Sequence, residues 1–134
     1  MIKIQREDFS VEDLVEEMKR RSKNIGAVVT FLGVAREFSR GREVLELEYE
    51  VYEDMAVETL EEIRREAIEK FDVTDVFIVH RYGRIGINEN IVLIVVGAVH
   101  RKEAFEACMF CIDEIKRRAP IWKKEKTKEG EFWV

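Results

Sequence analysis

Residues 98–125, AVHRKEAFEACMFCIDEIKRRAPIWKKE, concentrate the side chains of this chain that could do chemistry: His100, both cysteines, the only proline and the densest run of basic charge. Good helix formers run from Lys102 to Arg118, and Pro120 enforces the stop, so the stretch reads as one helix. On a wheel of about 100° per residue with Phe105 at zero, Met109 lies at about +40°, Ile112 at about −20° and Cys108 at about −60°. That is an apolar stripe for a core or an interface. Lys116, at about +20°, falls in the middle of that stripe and Arg101 at about −40°, while Glu103, Glu106, Asp113 and Glu114 take the other side. A lysine so placed has two readings. Its stem can lie along apolar surface while the ammonium reaches water. Alternatively it is a partly desolvated amine, whose lowered pKa makes it usable as a nucleophile or proton carrier. Just beyond, residues 116–128 carry seven basic side chains against a single acid, Glu125. An amine beside such a patch points to a site for an anion.

The other constellations carry less. Cys108-Met-Phe-Cys111 has redox or metal spacing, but both thiols sit in mid-helix, away from the helix start where the dipole would lower a thiol pKa. Zinc would need two more ligands, with only His80 and His100 to supply them, so the pair reads as small core residues and no metal is implied. Glu46, Glu48 and Glu50 share one face of an alternating strand; nothing nearby completes a coordination shell, and they read as solvated. Gly83-Arg-Ile-Gly86 lies between strands and reads as a hairpin turn rather than a nucleic-acid clamp. His80-Arg81 and His100-Arg101 each end an apolar strand, and His100 is the stronger candidate because it opens the long helix. There is no Walker loop, dinucleotide fingerprint or G-x-S-x-G.

The elements that position these residues follow from periodicity. Met1–Gln5 alternates as a strand, and Ser10 starts a helix to about Arg21 with Leu14, Val15 and Met18 inward. Gly26 opens GAVVTFLGVA, an apolar strand expected to be covered on both faces. Arg36–Arg42 is a basic loop with Gly41 as its turn residue. Glu43–Glu53 alternates with Leu45, Leu47, Tyr49 and Val51 on one face. Asp54 is the expected cap of a helix to about Phe71, amphipathic through Leu60, Ile63 and Ala67. Strands are expected at Val73–Tyr82 and Ile91–Val99, then at Ile121–Lys126 and Phe132–Val134 after the long helix. Hairpin-length links dominate, so the fold class is α+β: a single domain over residues 1–134, with largely antiparallel sheet and three helices.

Composition bounds the partners. At 134 residues with 46% hydrophobic content, the chain can bury a core of its own. A net charge of −5 argues against a generic nucleic-acid binder and makes the 116–128 segment a local patch on an acidic body. No apolar run reaches the roughly 20 residues of a bilayer span and no signal-peptide layout opens the chain, so a cytoplasmic protein is expected.

Taken together, Gly26-Ala-Val-Val-Thr-Phe-Leu-Gly33 with Arg36, Leu47-Glu-Tyr-Glu50 with Met55-Ala56, His80-Arg81 with Gly83, and His100-Arg101 with Ala104-Phe-Glu-Ala107 form an ordered set of motifs. Ile112-Asp113 through Lys116, Pro120-Ile-Trp-Lys-Lys-Glu125 and Gly130-Glu-Phe-Trp133 complete it. In that order and spacing the chain resembles the large, catalytic subunit of molybdopterin synthase nearly end to end. The resemblance implies an α/β-hammerhead-type fold, a homodimer, and a small ubiquitin-like subunit bound to each protomer to make a heterotetramer. It implies sulfur transfer from that subunit's C-terminal Gly-Gly thiocarboxylate to cyclic pyranopterin monophosphate, building the dithiolene of molybdopterin without a bound cofactor. It places the catalytic lysines on Lys116 and Lys123, substrate contacts on Phe31, Arg36, His100 and Arg101, and a pocket-lining role on Ile112. Arg101 and Lys116 lie about 22 Å apart along one helix at about 1.5 Å per residue, so a site using both is expected to be composite across two protomers. The rival readings are a non-catalytic adaptor for a ubiquitin-like partner and an RNA binder stacking bases on Trp122.

Overall fold

The computed structural model describes residues 1–134 and runs β1 (Ile2–Gln5), α1 (Val11–Lys19), β2 (Ala27–Val34), β3 (Phe38–Ser39), β4 (Arg42–Val51), α2 (Glu53–Phe71), β5 (Asp75–Arg81), β6 (Gly83–Gly86), β7 (Asn90–Ala98), α3 (Arg101–Arg118), β8 (Ile121–Thr127) and β9 (Gly130–Trp133). The first sheet has the order β1-β5-β7-β2, with only β1–β5 parallel. Strand alternation divides its core cleanly. Val76, Ile78, Ile94 and Val96 face α2 and α3, where Leu60, Ile63, Ala67, Ala104, Ala107, Cys108, Cys111 and Ile115 close the main cluster. Phe77, Leu93 and Val95 point the other way, against Met18 of α1. Full burial of side chains such as Leu60 and Ile63 is worth about 1.5–3 kcal/mol each, and that is what holds the helices down. The second sheet runs β3-β4-β8-β9, with β6 also on β4, around Val44, Leu47 and Ile85.

The α+β class and three helices stand as expected. Ser10 caps α1, its hydroxyl accepting from the Asp13 amide at 3.1 Å. Several local expectations give way. The buried-both-faces strands are β5 and β7; β2, expected to be covered, is the sheet's edge and leaves Thr30, Leu32 and Val34 exposed. Gly83–Gly86 is strand β6, paired with Glu46–Tyr49, and the turn falls beyond it near Ile87 and Asn88. The expected loop at 36–42 holds β3 and a hairpin. Tyr52, not Asp54, is the cap residue of α2: its amide donates to the Pro120 carbonyl at 3.1 Å, so the chain passes directly from strand to helix. Asp54 instead joins Glu53 in the first turn, where the helix dipole favours an acid.

Candidate active site

Strand β8 sorts the basic patch. Ile121, Lys123 and Glu125 share one face of the strand; Trp122, Lys124 and Lys126 share the other. On that second face Glu46 and Glu48 of β4 are answered by cations, while Glu50 is exposed with no ion pair. Arg84 Nε lies 2.9 Å from Glu46, Lys126 Nζ 3.3 Å from both Glu46 and Glu48, and Lys124 Nζ 3.6 Å from Glu48. Glu46 and Glu48 thus sit in a cross-strand lattice of ion pairs and Glu50 lies open to solvent, with no metal shell among them. Arg118 is held by Glu66 at 2.8 Å and Arg117 by Glu114. Of the seven basic residues, Lys116, Lys123 and Lys128 remain without a carboxylate partner.

The first face carries the half-buried amine of Lys123. Lys123 pairs with Tyr49 and Glu125 with Leu47 across the β4–β8 ladder. Glu125 is 1% exposed, with Arg42 Nη2 3.4 Å from its Oε1, and Arg42 stacks 4.0 Å over Phe132. The Lys123 amine is half-buried, and burial holds its pKa below the ordinary lysine value; Glu125 opposes that shift, while Arg36, Arg40 and Lys116 add to it. Three cations from three parts of the chain therefore converge electrostatically on one amine. Burial, seconded by Glu125, pushes the neighbouring Tyr49 hydroxyl up to about 12, so it is a neutral donor at any ordinary pH. The Tyr49 ring stands edge-on to His80 at 5.3 Å.

Each arm is fixed by local structure. Arg36 follows buried Ala35, whose amide donates to Glu89 and whose carbonyl accepts from Asn88 at 2.7 Å. Lys116 leaves the last turn of α3 beside Ile112, one turn earlier on the same face. The buried face of α3 is Ala104, Ala107, Cys108, Cys111 and Ile115, centred about 100° from Phe105 on the helical wheel. Phe105 and Met109 are 61% and 62% exposed, and Lys116 is exposed with them. The lysine inside an apolar stripe is thus on an open apolar flank, and the desolvated amine is Lys123 instead. Phe31 is partly buried on β2 where the two cores meet, and Ile112 packs on the main core.

His100 and Arg101 are exposed at the opposite end of α3, where His100 is the N-cap without a side-chain cap bond. One chain does not bring them to Lys116 and Lys123. His80 is a core residue: its Nδ1–H donates to the Arg81 carbonyl at 2.7 Å, and burial pushes its pKa down to about 4. Cys108 and Cys111 are free and buried, with thiols pushed up to about 11 and about 12 by desolvation, which makes them inert core atoms. No cluster of histidine, cysteine and carboxylate side chains is placed to ligate a metal. Sequence reasoning missed Arg40, Tyr49 and the role of Glu125; the odd-numbered alternation of β8 was the signal that puts Glu125 beside Lys123.

A family model described as "MoaE protein" matches residues 4–118. The molybdopterin synthase catalytic subunit of Pyrococcus abyssi is 46% identical over 128 residues, covering 96% of this chain and 85% of that one. The Bacillus subtilis subunit of the same name is 40% identical over 126 residues, covering 94% and 79%. Among solved structures, molybdopterin synthase from Staphylococcus aureus superposes with a TM-score of 0.92 at 39% identity, over 98% of this chain and 95% of that one.

Proposed function

This chain belongs to the MoaE family of molybdopterin synthase catalytic subunits, and from that premise we infer how it works as a sulfurtransferase of molybdenum cofactor biosynthesis. It transfers sulfur from the C-terminal thiocarboxylate of a small ubiquitin-like subunit to cyclic pyranopterin monophosphate, forming the dithiolene of molybdopterin. The observation that carries the division of labour is the half-buried Lys123 amine, depressed by burial and by Arg36, Arg40 and Lys116.

Both reactants are anions. Arg36 suits a phosphate as a planar, bidentate donor, and the unpaired Lys116 suits the tail's terminal charge. As the thiocarboxylate is consumed, negative charge develops on the acyl oxygen. Lys123, its pKa held down chiefly by burial, is the group to take the acyl carbon as its C–S bond breaks and the sulfur stays on the pterin, or to carry a proton; Lys116, exposed at the end of α3, is the group to stabilise the oxyanion. Glu125, on the same face of β8, works against that depression of the Lys123 pKa. Phe31 and Ile112 supply apolar walls for the pterin. His100 and Arg101 contribute from a second protomer, since about 22 Å of helix separates Arg101 from Lys116. The exposed Phe105 and Met109 on α3 support such a dimer, as apolar surface that a second copy would cover.

The test mixes purified protein with the thiocarboxylated small subunit and cyclic pyranopterin monophosphate and weighs the product. Dithiolene is expected, and it should be lost in Lys123→Ala and Lys116→Ala proteins that still melt normally. Partner binding with no product, from a charged donor, would make the chain an adaptor instead.

A further inference from the structure

Strand β3 and strand β4 pair Ser39 with Arg42, so the loop between them is only Arg40-Gly41. Both loop residues have positive φ, 53° at Arg40 and 76° at Gly41, the signature of a primed two-residue hairpin turn. That turn takes asparagine or glycine at its first central position with little strain; an arginine there is held in the left-handed region by its surroundings. The hairpin is fixed on both sides of the loop. Ser39 is buried, the Val44 amide donates to the Glu37 carbonyl at 2.6 Å, and Arg42 reaches Glu125 at 3.4 Å while stacking on Phe132. Those last contacts pin the hairpin onto the face of β8 that carries Lys123. Arg40 itself is exposed and has neither an ion-pair nor a hydrogen-bond partner, in a protein with five more acids than bases.

We propose that Arg40 is a substrate-binding residue, a guanidinium presented by a rigid turn to an oxyanion brought up to Lys123. The proposal rests on the sulfurtransferase reading for its substrates but not for its geometry. Two sources share the chemistry, the phosphate of the pterin and the terminal thiocarboxylate of the small subunit. The Arg40 charge also helps to lower the Lys123 pKa, which supports the same placement, because an anion bound near one is within the field of the other.

A prediction follows that a structural role would not make: stability and function should move in opposite directions. Arg40→Asn relieves the turn, so the variant should melt at the wild-type temperature or above it. In the assembled enzyme its KM for one of the two substrates should rise about tenfold with kcat little changed, and the substrate affected identifies the anion. Arg40→Lys should recover part of the loss. A second measurement does not depend on turnover: inorganic phosphate is titrated into wild type and Arg40→Asn, followed by the fluorescence of Trp122 and Trp133. Phosphate should bind at least fivefold more weakly to the variant. Unchanged phosphate affinity together with both KM values within twofold of wild type would overturn the assignment. If wild type makes no product yet phosphate binding still weakens in the variant, the activity is wrong and the anion site stands.

Discussion

Two buried or half-buried titratable side chains, Lys123 and His80, have opposite consequences. Lys123 has its pKa held down by desolvation and by three cations, so the neutral amine gains population as pH rises, beginning below the ordinary lysine value. If that amine does the work, kcat/KM should climb along a limb set by it. Removing one of the depressing charges, as in Arg36→Ala, should move the limb to higher pH as well as raise KM, and a limb that stays in place would assign it to another group. His80 titrates in the core. Its folded pKa, about 4, lies below its unfolded value of 6.5, so between them the unfolded chain binds more protons and stability falls as pH drops through that window. The whole effect is about 3 kcal/mol, reached near pH 4 and absent above pH 7. Urea midpoints measured from pH 7 to pH 4 should show that decline in wild type and a flatter profile in His80→Phe.

At the scale of elements, β4 shows what patterning can and cannot reveal. Strict alternation puts Leu45 with Leu47 and Tyr49, but the ladder to β8 shifts register between Val44 and Glu46. The irregularity turns Val44 inward and Leu45 outward, to 48% exposure, while Leu47 remains 4% exposed. Leu47→Ala should therefore cost about 2–5 kcal/mol and Leu45→Ala no more than about 0.5 kcal/mol in chemical denaturation. Equal costs would mean that no bulge is present in solution. The long periodic segments were legible: α2 buries Leu60, Ile63 and Ala67 as its spacing requires, and β5 and β7 read as apolar runs. What was hidden depends on pairing rather than on local pattern. Whether GAVVTFLGVA sits at the centre or edge of a sheet, and whether Gly83–Gly86 turns or pairs, is decided by distant strands. The same holds for the site. Lys116 and Arg101 stand out on a helical wheel, but Lys123 is desolvated because β4 lies across from it, and Arg40 reaches the site only through a hairpin.

Across the whole molecule, two of the site residues named from sequence, Arg101 and Lys116, fall near opposite ends of one helix. Helix α3 runs unbroken from Arg101 to Arg118, with Lys116 near one end and His100 at the other. No bending of an 18-residue helix packed on β2 and β7 can bring Arg101 to Lys116. A site that needs both must take them from different copies, and a two-fold dimer makes two such sites. Arithmetic then distinguishes the arrangements. If the site is composite across a two-fold dimer, Arg101→Ala and Lys116→Ala proteins should each be inactive at every site of their own dimers. After subunit exchange about half of the dimers are mixed, and each mixed dimer rebuilds one site carrying both wild-type residues. Activity should return to about a quarter of the wild-type level from two dead parents. Full exchange, verified by mass, with no recovered turnover would overturn the composite site, and an Arg101→Ala protein that keeps its turnover by itself would leave Arg101 outside the chemistry.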